Sequence, residues 1–70
     1  MDSPNFLTKR EKEIFDLLII NYNTSDIATK LFISEKTVRN HISNVIQKLN
    51  VKGRTQAILE LIKLNIIKIQ

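Results

Sequence analysis

Ser34-Glu35-Lys36-Thr37-Val38-Arg39-Asn40-His41-Ile42-Ser43-Asn44-Val45-Ile46-Gln47-Lys48-Leu49 is the stretch from which the rest of the chain can be read. At about 100° per residue, Val38, Ile42, Val45 and Leu49 fall within about 60° of one another, a narrow apolar stripe that must face a core. Lys36, Asn40, Ser43 and Gln47 gather on the opposite side, flanked by Arg39 and Asn44. Ser34 is a good N-cap, so the spacing predicts a helix over Glu35 to Leu49. The outer face carries no acid. An ordinary solvated helix mixes Glu with Lys at i,i+4 spacing. This one offers amides, a hydroxyl and cations, the groups that read base edges in a DNA major groove.

Taken singly, Asn40, Ser43, Asn44 and Gln47 are plain surface residues. Together, after a short helix and a tight turn, they read as the recognition helix of a helix-turn-helix. Thr37 lies near the helix start, where hydroxyls and free backbone N–H groups hold phosphates, or where it would act as a second capping hydroxyl. Glu35 suits the positive end of the helix dipole but would also repel DNA. His41 sits about 60° off the buried stripe. As the only histidine it is read as a DNA-backbone contact or a packed side chain, not as an acid-base catalyst.

Upstream, Thr8 and Glu11 form the spacing of a capping box and fix the start of a first helix. Ile14, Phe15, Leu17, Leu18 and Ile19 continue it as an apolar stripe, with Phe6 or Leu7 stapling its entry. Asn21-Tyr22-Asn23-Thr24 breaks the pattern with residues that favour turns and caps. A brief second helix follows from Ser25 to Leu31, with Ile27, Ala28 and Leu31 on one face and small Ala28 allowing close helix approach. Phe32 and Ile33 then make a tight apolar connection into Ser34.

Downstream, Gly53 is the only glycine and marks a turn that calls for a permissive backbone, with a fourth helix beginning near Arg54. Ala57, Leu61 and Leu64 form one stripe with Ile58 beside it. Leu59, Ile62 and Ile66 cluster on the opposite side, and only Gln56, Glu60 and Lys63 make a polar wedge. Two apolar faces exceed what a monomer of this size needs, so Leu59, Ile62 and Ile66 are expected to form a homodimer interface. The alternative is that Ile66, Ile67 and Ile69 fold back over that face within one subunit.

Composition narrows the classes of function. Seventy residues make one domain, here spanning residues 1–70 with residues 1–5 expected to be disordered. The absence of cysteine excludes disulfides and thiolate metal sites, and a lone histidine leaves a catalytic triad or His-based metal site without partners. Neither enzyme chemistry nor a cofactor is expected. No apolar run approaches the roughly 20 residues that span a bilayer, and residues 1–5 have no signal-peptide character, so a cytoplasmic, nucleoid-associated protein is expected. The net charge of +4 is unevenly placed: residues 1–33 sum to −1 and residues 34–70 to +5. A basic second half suits a polyanion, since phosphate neutralisation supplies most sequence-independent DNA affinity.

Leu7-Thr8-Lys9-Arg10-Glu11, Asp26-Ile27-Ala28, Ile33 through His41, Lys48-Leu49-Asn50-Val51 and Arg54-Thr55-Gln56-Ala57 together resemble the LuxR-type DNA-binding domain. The likeness covers about residues 6 to 67 and is closest to stand-alone sporulation regulators of that family. It implies an all-α, four-helix helix-turn-helix fold in which the third helix enters the major groove and the fourth pairs two subunits. Matched by position, Arg39, Asn40 and Ser43 would face bases, while Lys36, Thr37 and His41 would lie at the phosphate backbone. Many members have glycine before helix two where this chain has Asn21-Tyr22-Asn23. Most also carry a receiver or ligand-binding domain upstream, whereas this chain starts about six residues before the motif, so control by phosphorylation or a small inducer is not carried over from the likeness.

The function expected is therefore sequence-specific regulation of transcription, of late sporulation and spore-coat genes, by a dimer reading half-sites roughly 34 Å apart on double-stranded DNA. RNA polymerase is the further partner such a regulator would meet. The rival is a helical adaptor of the transcription machinery that binds no DNA, which an acid-free third-helix face argues against. A membrane-surface protein ranks below both, because the lysines are not gathered beside the apolar face of helix four.

Overall fold

The computed structural model describes residues 6–68, in which four helices and no strand are found. They are α1 (Lys9–Ile19), α2 (Thr24–Leu31), α3 (Glu35–Leu49) and α4 (Arg54–Lys63). The expected disorder of residues 1–5, and the part assigned to Ile69 in the fold-back alternative, lie outside the described residues.

The first three helices begin on side-chain caps. Thr8 accepts from the Glu11 N–H at 3.1 Å while the Glu11 carboxylate accepts from the Thr8 N–H at 3.0 Å, the reciprocal pair expected from the sequence. Asn23 and Asp26 repeat the arrangement, at 2.8 and 3.2 Å. This second capping box starts α2 at Thr24, one residue before the expected Ser25. Ser34 accepts from the Thr37 N–H at 3.0 Å and opens α3 as predicted. Gly53 caps α4 without a side-chain bond.

All four helices end the same way. Asn21, Phe32, Asn50 and Asn65 take φ of 75°, 60°, 55° and 61°, and the N–H of the following residue returns to the carbonyl five positions back. These are left-handed helix terminations, which glycine favours and asparagine tolerates. Asn21 thus supplies the left-handed residue in the connection before α2. Gly53, by contrast, has φ −169°, extended backbone open to any residue, and a Cβ there would meet nothing within 4 Å. The permissive turn assigned to Gly53 belongs instead to Asn50.

One core joins the helices. Ile14 and Phe15 of α1, Ile27 of α2, Val38 and Val45 of α3, and Ala57 and Leu61 of α4 are fully buried. α3 lies at the centre, packed against each of the other three helices. Its stripe behaves as predicted at Val38, Ile42 and Val45, while Leu49, in the last turn, is half-buried. Leu7, not Phe6, is the buried residue at the entry to α1.

Two expectations at the other connections are corrected. Phe32 does not close an apolar connection with Ile33: it is 93% exposed, because left-handed backbone at the end of α2 turns its side chain out to solvent. At the C-terminal end, α4 stops at Lys63, so Leu64 is its exposed cap and Ile66 lies in the turn beyond it, not on the helical face with Leu59 and Ile62. The tail does fold back, with Ile67 buried and Ile66 packed on the core. It comes to lie beside Leu17 and Ile19 of α1 and its C-cap Ile20, and leaves Leu59 61% exposed.

Candidate nucleic-acid interface

The sequential placement of α2, a short turn and α3 gives the domain its candidate reading surface. α2 packs on α3, the small Ala28 of α2 is buried, and the Ile33 N–H returns to the Ala28 carbonyl at 3.0 Å to close the turn. α3, with 15 residues, is roughly 22 Å long. Its inner stripe is sealed into the core, which leaves the opposite face to solvent.

The residues expected to read DNA are placed on that free surface. Lys36, Arg39, Asn40, Ser43, Asn44 and Gln47 are exposed, and Thr37 and His41 are half-buried at its edge. Among the described residues, the side chains of Asn40, Ser43, Asn44 and Gln47 make no hydrogen bond within the domain. Their donors and acceptors are left for water or a ligand. Thr37 is engaged locally, its hydroxyl accepting from the Ser34 hydroxyl at 2.9 Å. The Thr37 N–H is likewise taken by the Ser34 hydroxyl at 3.0 Å, so the Lys36 side chain and the positive end of the helix dipole are what favour an anion here.

Glu35 and Arg39 add a detail to this surface. The Arg39 guanidinium donates to the Glu35 carboxylate at 3.3 Å, one turn along the helix. The acid therefore stands at the edge of the candidate reading face, touching one of its cations.

Behind α3 lies a contact that the sequence reading missed. Lys48, in the last turn of α3, donates to the carboxylate of Glu11 and, at 3.2 Å, to the carbonyl of Phe6, with its ammonium 6.0 Å from the Phe6 ring. Glu11 is only 3% exposed and is the one buried charged side chain among the described residues. Burial pushes its carboxyl up, but the Lys48 hydrogen bond, the Thr8 N–H and the positive charges of Lys48 and His41 outweigh this and hold it below the ordinary carboxylate range. One side chain thus caps α1 and ties its first turn to the far end of α3. The only signal in the sequence was that the box acid Glu11 starts a helix whose i+3 and i+4 neighbours, Ile14 and Phe15, are apolar.

The groups at this surface can bind and orient an anion or a base edge. They hold no arrangement of nucleophile, base and oxyanion donors, and among the described residues no cluster of three metal-ligating side chains occurs.

Known proteins agree with this geometry. The sequence profile of the family described as "Bacterial regulatory proteins, luxR family" matches residues 5–61. The chain is 61% identical over 62 residues to the spore germination protein GerE of Bacillus subtilis, covering 89% of this chain and 84% of GerE. It is 47% identical over 66 residues to the transcriptional regulatory protein DegU of Brevibacillus brevis, covering 94% of this chain but only 28% of DegU. Among solved structures, that of the transcription factor GerE superimposes with a TM-score of 0.93 at 60% identity, covering 96% of this chain and all of that one. The response regulator ChrA of a heme-sensing two-component system gives 0.84 at 36% identity over 94% of this chain and 33% of its own length. A four-helix fold with a free α3 face, matched in sequence and structure across most of its length, places the chain in the luxR family of bacterial regulatory proteins, as a DNA-binding transcription regulator close to GerE and not an enzyme.

Proposed function

We propose that the chain binds operator DNA as a two-fold homodimer, α3 of each subunit lying in the major groove, and regulates promoters used in sporulation. The observation that carries the reading is the row of unengaged side chains Asn40, Ser43, Asn44 and Gln47, bordered by Lys36 and Arg39, on a helix whose other face is buried. The amides suit adenine and the guanidinium suits guanine, while Lys36, Thr37 and His41 are disposed towards phosphates.

The dimer reading is supported by Leu59, which remains 61% exposed beside a shallow hollow lined by Val51, Gln56, Glu60 and Lys63. A self-complementary contact through this surface and Ile62, with Ile66 as a peripheral contributor from the turn, would set two α3 helices on half-sites about 34 Å apart. The sporulation reading is supported by 61% identity to a protein named for spore germination. Such a regulator works on the nucleoid in the cytoplasm, where RNA polymerase is its partner at the promoter. No helix among the described residues is long and apolar enough to cross a membrane.

Fluorescence anisotropy on random and operator duplexes at several salt concentrations tests the DNA reading. Affinity falls steeply with salt. Asn40→Ala loses preference for the operator with little change on random DNA, whereas Lys36→Ala weakens binding to both. Equal losses on every sequence for Asn40→Ala would remove its base-reading role, and no duplex binding in dilute buffer would overturn the whole reading. Chromatin immunoprecipitation with sequencing in sporulating cells of the native host identifies the promoters. Occupancy confined to genes unrelated to sporulation would refute that part.

A further inference from the structure

Glu35 is the only acidic residue between Asp26 and Glu60, and it stands in the first turn of the helix that otherwise presents cations and amides. A carboxylate at this end gains from the helix dipole but is costly beside phosphates. Its carboxylate is not idle, since it accepts from the Arg39 guanidinium at 3.3 Å, with the two side chains 46% and 58% exposed. Guanidinium has five N–H donors in a rigid fork, so this bond leaves an edge of two parallel donors unused. It also draws the guanidinium towards the N-terminal end of the helix, the end whose side chains meet base edges in a helix-turn-helix complex.

We infer that Glu35 is a positioning residue that holds Arg39 for bidentate contact with a guanine and withholds it from phosphates. The inference rests on the DNA-binding reading above. On a sequence with guanine at the matching position, Arg39 reads the base with Glu35 still attached, and less rotamer freedom is lost on binding than for an unpaired arginine. On any other sequence Arg39 can reach a phosphate only by leaving Glu35, and the uncompensated carboxylate then faces the DNA backbone. The pair therefore favours the guanine site and penalises the rest.

Two variants separate position from charge, with folding monitored by circular dichroism and thermal melting. Selected half-sites and their single-base variants serve as probes, alongside random duplex. Glu35→Gln removes the charge: binding to random duplex rises by up to about fivefold, the salt dependence steepens by up to about one unit, and guanine preference at one position falls by a similar factor. Glu35→Asp keeps the charge but shortens the reach to Arg39: guanine preference falls as in Glu35→Gln while random-duplex affinity rises less than in Glu35→Gln. In an Arg39→Ala background neither change alters base preference. If Glu35→Gln raises affinity equally on all sequences, or if its effect on base preference persists without Arg39, the inference fails while the DNA-binding reading stands. If the parent protein binds no duplex, the reading beneath it fails instead.

Discussion

Lys48→Met cuts the tie between the two ends of the core while keeping most of the aliphatic stem. It leaves the Glu11 carboxylate buried with the Thr8 N–H as its remaining hydrogen-bond donor. Removing one partner of a fully buried ion pair costs roughly 3–5 kcal/mol. The Lys48 side chain retains 33% of its exposure against 4% for Glu11, so water reaches one side of the pair and about 2 kcal/mol is the expected loss at pH 7. A domain of this length has only roughly 4–10 kcal/mol in total. The melting temperature should therefore fall by roughly 8–16 °C.

The pH dependence distinguishes this cause from lost packing. Because the folded protein holds the Glu11 carboxyl below its unfolded value, its contribution is fully present above the ordinary carboxylate range and is lost as pH falls through the lowered folded value. In Lys48→Met burial dominates, the carboxyl rises, and protonation in acid relieves the unpaired charge. Urea unfolding of the two proteins from pH 7 to pH 3 should show a gap that narrows steadily as acid is added. A gap that stays constant over that range, or is under about 0.5 kcal/mol at pH 7, would refute the reasoning, since that is the signature of a surface packing change.

Three further outcomes are expected. Phe32→Gly should stabilise the domain by about 1 kcal/mol in chemical denaturation, because φ is 60° there and the ring is 93% exposed, so backbone strain is relieved with little lost burial; destabilisation would show that the ring packs against something in solution. Gly53→Ser should add roughly 0.5–1 kcal/mol by supplying the missing cap of α4 and restricting the unfolded chain at an extended position, and a fall in melting temperature would contradict it. Leu59→Lys should shift sedimentation from dimer to monomer and reduce operator affinity while leaving the helical spectrum unchanged, whereas a compact monomer at high micromolar concentration in both proteins would remove the α4 dimer.

The helices and the exposed polar face of α3 are legible in the sequence because their causes are local. Thr8 with Glu11 and Ser34 with Thr37 act across three residues, and the separation of Val38, Ile42 and Val45 from Lys36, Asn40 and Ser43 follows from helical periodicity alone. Helix ends were harder to read. Asn21 and Asn50 adopt left-handed backbone that any of several neighbouring polar residues could have taken, and Phe32 does so against its own preference because α2 and α3 must both pack on the core. The stop of α4 at Lys63, with Ile67 turned back into the interior, likewise depends on where the core has room for an isoleucine. The Glu11 and Lys48 pair spans 37 positions, and no periodicity links them. Their meeting is fixed by how α1 crosses α3, so a residue legible only as a helix cap became a buried charge once the packing angle was set.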